Sequence, residues 1–187
     1  MKKIAVFASG SGSNFQRIVE YFKGNTEIKV QILIVNNKDA YSIERAKRLG
    51  VKHKYIDREG FYNSTQVLDI LKENEIDLIV LAGFLWLVPE NLIDEYRIVN
   101  IHPALLPNYG GKGMYGDRVH GAVIENKEEE SGITIHYVDP RYDEGEIIFQ
   151  AKCKVDKDDT VESLAQKIHT LEHANYPRVI EEIILSK

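Results

Sequence analysis

Apolar positions along the chain alternate between short continuous runs and stripes of helical spacing. Ile4 to Ala8 is a run of the first kind. It ends in Ser9-Gly10-Ser11-Gly12-Ser13-Asn14, and behind it Phe15, Ile18, Val19 and Phe22 recur at helical spacing until Gly24. Strand, tight loop and helix are predicted in that order. The unit returns with a strand over Ile28 to Val35, a helix over Tyr41 to Leu49 closed by Gly50, and a brief strand over Lys54 to Asp57. Val67, Leu68, Ile70 and Leu71 stripe a helix over Thr65 to Asn74, and Leu78 to Ala82 is apolar throughout, as a parallel strand buried on both faces must be. Pro89 to Tyr96 reads as a short helix with proline in its first turn, and Ile98 to Ile101 as a fifth strand running into His102-Pro103.

Strands alternating with helices predict an α/β fold: an open, mostly parallel twisted sheet with helices on both faces, Rossmann-like, with ligands outside the carboxyl ends of the strands. Beyond Glu125 the rhythm changes. Ile133 to Val138 alternates, Ile147 to Val155 follows a Pro/Asp/Gly turn, and Val161 to Leu185 is a long amphipathic helix. Antiparallel additions to the sheet are expected there. No repeat or linker divides the chain, so one domain is expected over residues 1–187.

Composition narrows the function classes. With 28% charged and 43% hydrophobic residues the chain has an ordinary soluble composition, and a net charge of −5 argues against nucleic acid as a partner. The apolar run near the N-terminus is too short to cross a membrane, so a cytoplasmic protein is expected. The single Cys153 excludes an internal disulfide and a zinc ribbon, and is expected as a small buried side chain.

Two stretches carry chemistry. The loop Ser9 to Asn14 sits between a strand and a helix, where backbone N–H groups can hold a phosphate; the plainer alternative is a structural turn capped by Ser13 or Asn14. It lacks the third glycine of the dinucleotide fingerprint and the Gly-Lys-Ser/Thr of a triphosphate loop. Asn100 and His102, two apart on a strand, point the same way and can both donate to the oxyanion of an acyl-transfer intermediate. That role calls for a charged imidazole, and Asp143 is a candidate to raise its pKa. His136 reads as a structural histidine, and His53 and His120 as surface or helix-face residues. His169-Thr170-Leu171-Glu172-His173 fits the H-x-x-E-H spacing of a zinc protease group, but with no third ligand evident no metal is expected.

The segments Ala8 to Asn14, Leu81-Ala82-Gly83-Phe84, Asn100 to Pro107, Gly132 to Val138, Asp143-Glu144-Gly145 and Glu172 to Pro177 together resemble the folate-dependent phosphoribosylglycinamide formyltransferases. The resemblance spans almost the whole chain. It implies a formyltransferase fold and transfer of a formyl group from 10-formyltetrahydrofolate, as cosubstrate, to the amine of 5′-phosphoribosylglycinamide in purine biosynthesis. It implies that Asn100, His102 and Asp143 are catalytic, that Gly12, Ser13, Asn14 and Glu172 bind the ribonucleotide, and that Leu85, Trp86, Leu87, Val88, Asn100, Val138 and Asp139 bind the folate. The expected partners are these small molecules, with no nucleic acid or membrane, and the expected assembly is a monomer or homodimer. A formyltetrahydrofolate hydrolase would use the same three residues on water, but its relatives carry a regulatory domain for which this length leaves no room. A tRNA formyltransferase needs a further basic domain, and a non-catalytic nucleotide-binding module has no use for the Asn-His-Asp set.

Overall fold

The computed structural model describes residues 1–186. Seven strands and seven helices follow one another as β1 (Lys2–Ala8), α1 (Ser13–Tyr21), β2 (Ile28–Val35), α2 (Tyr41–Leu49), β3 (Lys52–Tyr55), α3 (Arg58–Tyr62), α4 (Gln66–Glu73), β4 (Leu78–Leu81), α5 (Glu90–Glu95), β5 (Ile98–His102), α6 (Asp117–Glu125), β6 (Glu130–Tyr137), β7 (Ile147–Lys154) and α7 (Val161–Leu185). They build one sheet of order β3-β2-β1-β4-β5-β6-β7. The first five strands pair in parallel, and β6 and β7 add antiparallel, as the change of rhythm predicted.

Alternation along each strand divides the apolar side chains between two faces. Ile4, Val6 and Ala8 of β1 pack with Phe15 and Ile18 of α1 and with α7; Ala5 and Phe7 pack with Phe61 of α3 and Val67, Leu68 and Leu71 of α4. Strand order reverses between β1 and β4. Their carboxyl-end loops part at this switch point, past the bonds by which Ser9 N–H donates to the Gly83 carbonyl (3.0 Å) and Leu85 N–H to Ser9 Oγ (2.9 Å). Such a crevice is where ligands enter doubly wound sheets.

Some boundaries differ from the sequence reading. The third strand lies at Lys52–Tyr55, two residues earlier than expected: it is an edge strand exposed along its length, and the buried Ile56 that suggested it stands just past its end. Asp57 instead caps α3, accepting from Gly60 N–H at 2.8 Å. Pro89 is the cap of α5 and lies outside its first turn. The helix α6 was not foreseen, and β6 begins at Glu130 because its first residues are polar or small. Cys153 is only half-buried, on the outermost strand.

The long α7 contains Pro177, which cannot donate to the carbonyl of His173 one turn before it. Arg17 Nε donates to that carbonyl (3.3 Å), linking α1 to α7. The fully buried Tyr176 donates its hydroxyl to the carbonyls of Leu81 (2.8 Å) and Val99 (3.2 Å), fixing α7 against the ends of β4 and β5. Glu172 is thereby held over the crevice. Among the described residues no helix is long and apolar enough to cross a membrane.

Candidate active site

Asn100 and His102 continue the row of side chains begun by Ile98 on β5, and His102 is the strand's last residue. The loop that follows is pinned by a buried hydroxyl. Thr134 Oγ1 on β6 accepts from Leu106 N–H (3.0 Å) and from Gln150 Nε2 (2.9 Å) while donating to the Ala104 carbonyl (2.7 Å); Gln150 also reaches the Leu106 carbonyl (3.0 Å). All the bonding capacity of that hydroxyl is used, so the loop is held as firmly as the sheet.

Asp143 lies between two imidazoles. Its carboxylate is 3.6 Å from His102 Nδ1 and 3.6 Å from His136 Nε2, and it accepts from Gly111 N–H at 2.9 Å. His102 Nε2 faces the Tyr109 carbonyl at 2.7 Å. Both residues that hold His102, Tyr109 and Asp143, sit in the left-handed region with φ of 58° and 57°, a conformation that costs a non-glycine residue about 1 kcal/mol and persists only where surroundings demand it. Gly110 permits this close packing, because a Cβ there would meet Leu106 Cδ2 at 2.6 Å. His136 Nδ1 faces the Tyr137 carbonyl (2.8 Å), which makes Nε2 the acceptor for Asn100 Nδ2 (3.1 Å). One amide N–H of Asn100 is thus spent on His136 and the second is free for a ligand. His136 is the satisfied histidine expected, and it orients Asn100 as well.

The electrostatics correct one expectation. Burial pushes the His102 pKa below its ordinary value, against the upward pull of Asp143 and the Tyr109 carbonyl. Burial also acts to raise the Asp143 carboxyl, but His136, His102 and the Gly111 N–H together hold it below the usual range. The resting pair is an ionised Asp143 beside a mostly neutral His102, so the carboxylate alone does not keep the imidazole charged.

The glycine-rich loop stands at the other end of the crevice. Gly12 has φ 73°, and a Cβ on it would fall 2.5 Å from that of Ser42. No side chain caps α1, so neither Ser13 nor Asn14 closes the turn as the structural alternative required, and the first-turn N–H groups have no side-chain acceptor. Asn14 Nδ2 donates instead to Glu172 Oε2 (3.0 Å), which also meets His169 Nδ1 (2.9 Å); Glu172 is 5% exposed. The hydrogen bond to Glu172 raises the His169 pKa despite burial. Arg45 Nε donates to the Ser11 carbonyl at 2.7 Å and fixes the loop from outside. Among the described residues no three His, Cys, Asp or Glu side chains converge as a metal site.

A cavity of about 510 Å³ joins the two ends. Gly12, Ser13, Asn14, Leu85, Asn100, His102, Asp143 and Glu172 all line it. Trp86, Leu87, Val88, Val138 and Asp139 are not among its lining residues. Trp86 packs on the rings of Phe61 and Phe84 with Arg58 over its face; the Leu87 carbonyl accepts from the Tyr62 hydroxyl. Val88 is core, Val138 packs on the same core and pairs with Ile98, and Asp139 pairs with Arg141. The wall also includes Phe84, Met114, Tyr115, Tyr142, His120 and His169. Phe84 and Tyr142 border motifs already singled out, and His169 lies one helical turn before Glu172. Nothing in the local sequence marked Met114 or Tyr115, and His120, expected as a surface or helix-face residue that could approach this loop, is buried. His53 is exposed on β3, as expected.

Comparison with known proteins agrees with this geometry. The formyl transferase family model matches residues 2–180. A chloroplastic phosphoribosylglycinamide formyltransferase of Arabidopsis thaliana is 41% identical over 97% of this chain, and the chain spans 65% of that relative's length, just under two thirds. The phosphoribosylglycinamide formyltransferase of Bacillus subtilis (strain 168) is 37% identical over 98% of this chain and 95% of its own. The crystal structure of the phosphoribosylglycinamide formyltransferase from Streptococcus pneumoniae TIGR4 aligns with a TM-score of 0.86 at 38% identity, covering 98% of this chain and 99% of that one. The resemblance carried by the sequence motifs thus extends to the whole sheet, and the chain belongs to the formyl transferase family.

Proposed function

We propose that the protein transfers the formyl group of 10-formyltetrahydrofolate to the amine of 5′-phosphoribosylglycinamide, yielding formylglycinamide ribonucleotide and tetrahydrofolate. The observation that carries this reading is one cavity running from an uncapped helix N-terminus to the Asn100, His102 and Asp143 group. Gly12, Ser13 and Asn14 hold the phosphate, and Glu172 the sugar. Phe84, Leu85, Met114 and Tyr142, with Asn100, offer an aromatic carrier an apolar wall on the far side. That two-ended wall fits two substrates better than it fits one substrate and water, which together with the names of the relatives disfavours a hydrolase.

In the reaction the glycinamide nitrogen bonds to the formyl carbon, the bond from that carbon to the carrier nitrogen breaks, and the amine proton ends on the carrier nitrogen. The free Asn100 N–H donates to the developing oxyanion. Negative charge growing beside His102 raises its proton affinity and offsets the burial that keeps it neutral at rest, so the imidazole takes up the proton lost by the attacking amine as the intermediate forms. Asp143, ionised throughout, stabilises that imidazolium, which then gives the proton to the carrier nitrogen, directly or through a water. Holding both reactants in one cavity contributes a further share of the rate. We propose that this operates in the cytoplasm, in a single domain over residues 1–187, as a monomer or homodimer without nucleic acid or membrane partners.

The test is to mix the protein with 10-formyltetrahydrofolate, with and without phosphoribosylglycinamide, and follow release of tetrahydrofolate. Release that requires the ribonucleotide is expected. Equal release without it marks a hydrolase, and no release in either case removes the proposal.

A further inference from the structure

His120 sits on α6 and lines the cavity, is 2% exposed, and has no hydrogen-bond partner on either ring nitrogen among the described residues. Its Nδ1 is fully enclosed and unsatisfied. A buried imidazole left without partners is costly, and natural structures seldom keep one unless a ligand completes it. We infer that His120 is a specificity residue of the ribonucleotide pocket, donating from its ring to a ribose hydroxyl.

The inference rests on the proposed function and extends it to a residue that no motif marked. Position favours the sugar. Phosphate belongs at Gly12 to Asn14 and the reacting amine at His102, so the ribose spans the gap between them. His120 lies within electrostatic reach of Glu172, His169 and His102, the groups that border that gap. Chemistry favours a hydroxyl. Burial lowers the His120 pKa against the pull of Asp117 and Glu172, so its ring is neutral and presents one donor and one acceptor. A hydroxyl can pair with a ring nitrogen in either role, whereas a phosphate dianion takes donors only.

The experiment measures the ribonucleotide and formyl-folate KM of the parent, of His120→Ala and of His120→Gln, together with calorimetric binding of ribose 5-phosphate and of inorganic phosphate. For His120→Ala, the ribonucleotide KM and the ribose 5-phosphate Kd should each rise about tenfold, the scale of one hydrogen bond lost from a buried site. The formyl-folate KM and inorganic phosphate binding should stay within about twofold, and His120→Gln, which keeps a donor at similar reach, should recover most of the loss. Unchanged ribose 5-phosphate binding, or equal rises for both substrates, overturns the inference. A parent that ignores phosphoribosylglycinamide defeats the proposed function instead, and the ribose 5-phosphate arm still decides the contact.

Discussion

Replacing Asp143 with asparagine removes one charge while keeping the size of the side chain and, through the amide oxygen, the bond from Gly111 N–H. The structure sets the cost. At 3.6 Å from His102 Nδ1, an ionised carboxylate stabilises an imidazolium by about 4–5 kcal/mol with an effective dielectric of roughly 20. If about half survives after the neighbouring imidazole of His136 and the open cavity are counted, the loss is about 2.3 kcal/mol, or roughly 50-fold in rate. This falls on kcat, because His102 is already mostly neutral at rest and needs the carboxylate when the oxyanion forms. Steady-state kinetics at saturating formyl-folate, with a melting curve to show that the fold persists, measure it. A variant with kcat within threefold of the parent, or one whose loss is confined to KM, would refute the assignment of Asp143 to the charged intermediate.

Gly12→Ala should lower stability by roughly 2 kcal/mol and raise the ribonucleotide KM, since the new Cβ would sit 2.5 Å from that of Ser42 at a φ of 73°; an unchanged melting temperature and KM would contradict this. Thr134→Val leaves the Leu106 N–H, the Ala104 carbonyl and an amide hydrogen of Gln150 without the hydroxyl, so an unfolding free energy lower by about 2–3 kcal/mol is expected in denaturant titration, together with reduced kcat. Stability alone changing, with kcat untouched, would show that the loop after β5 does not depend on that hydroxyl. In acid, His102, His120 and His173, all pushed below their ordinary value chiefly by burial, contribute stability that is present above about pH 6.5 and lost as pH falls through their folded values. His169, raised by Glu172, works the other way, its stabilisation being complete below that pH and lost above. Three against one predicts that the urea midpoint drops from pH 7.5 to pH 5; a flat or rising midpoint would overturn that balance.

The parallel part of the fold was legible because strands buried on both faces have to be apolar throughout, and Ile32 to Val35 and Leu78 to Leu81 are. Where burial stops, so does the signal. The edge strand Lys52–Tyr55 is exposed at every position, and α3 is too short for a helical stripe to repeat. At the site, spacing showed that Asn100 and His102 face the same way, a local property of one strand. That Asp143 joins them is a long-range fact, since 41 residues separate it from His102, and the motif resemblance supplied it. Where the side chains of the expected folate residues point is a long-range fact too. Being near a strand's end in sequence does not say which side of the sheet a side chain takes, and Val88 and Val138 turned to the core.

Sequence also could not say how burial and charge would balance at His102. A carboxylate nearby argues for a charged imidazole, and that reasoning is sound for a solvated pair. Here the ring is 3% exposed and the carboxylate oxygen that faces it also accepts from the Gly111 N–H. The same arrangement that makes Asp143 reliably ionised therefore weakens its hold on the His102 proton. An imidazole charged at rest would have its donors already committed to Asp143 and Tyr109, whereas one that is neutral until negative charge arrives binds the intermediate more strongly than the substrates, which is the condition for accelerating the chemical step.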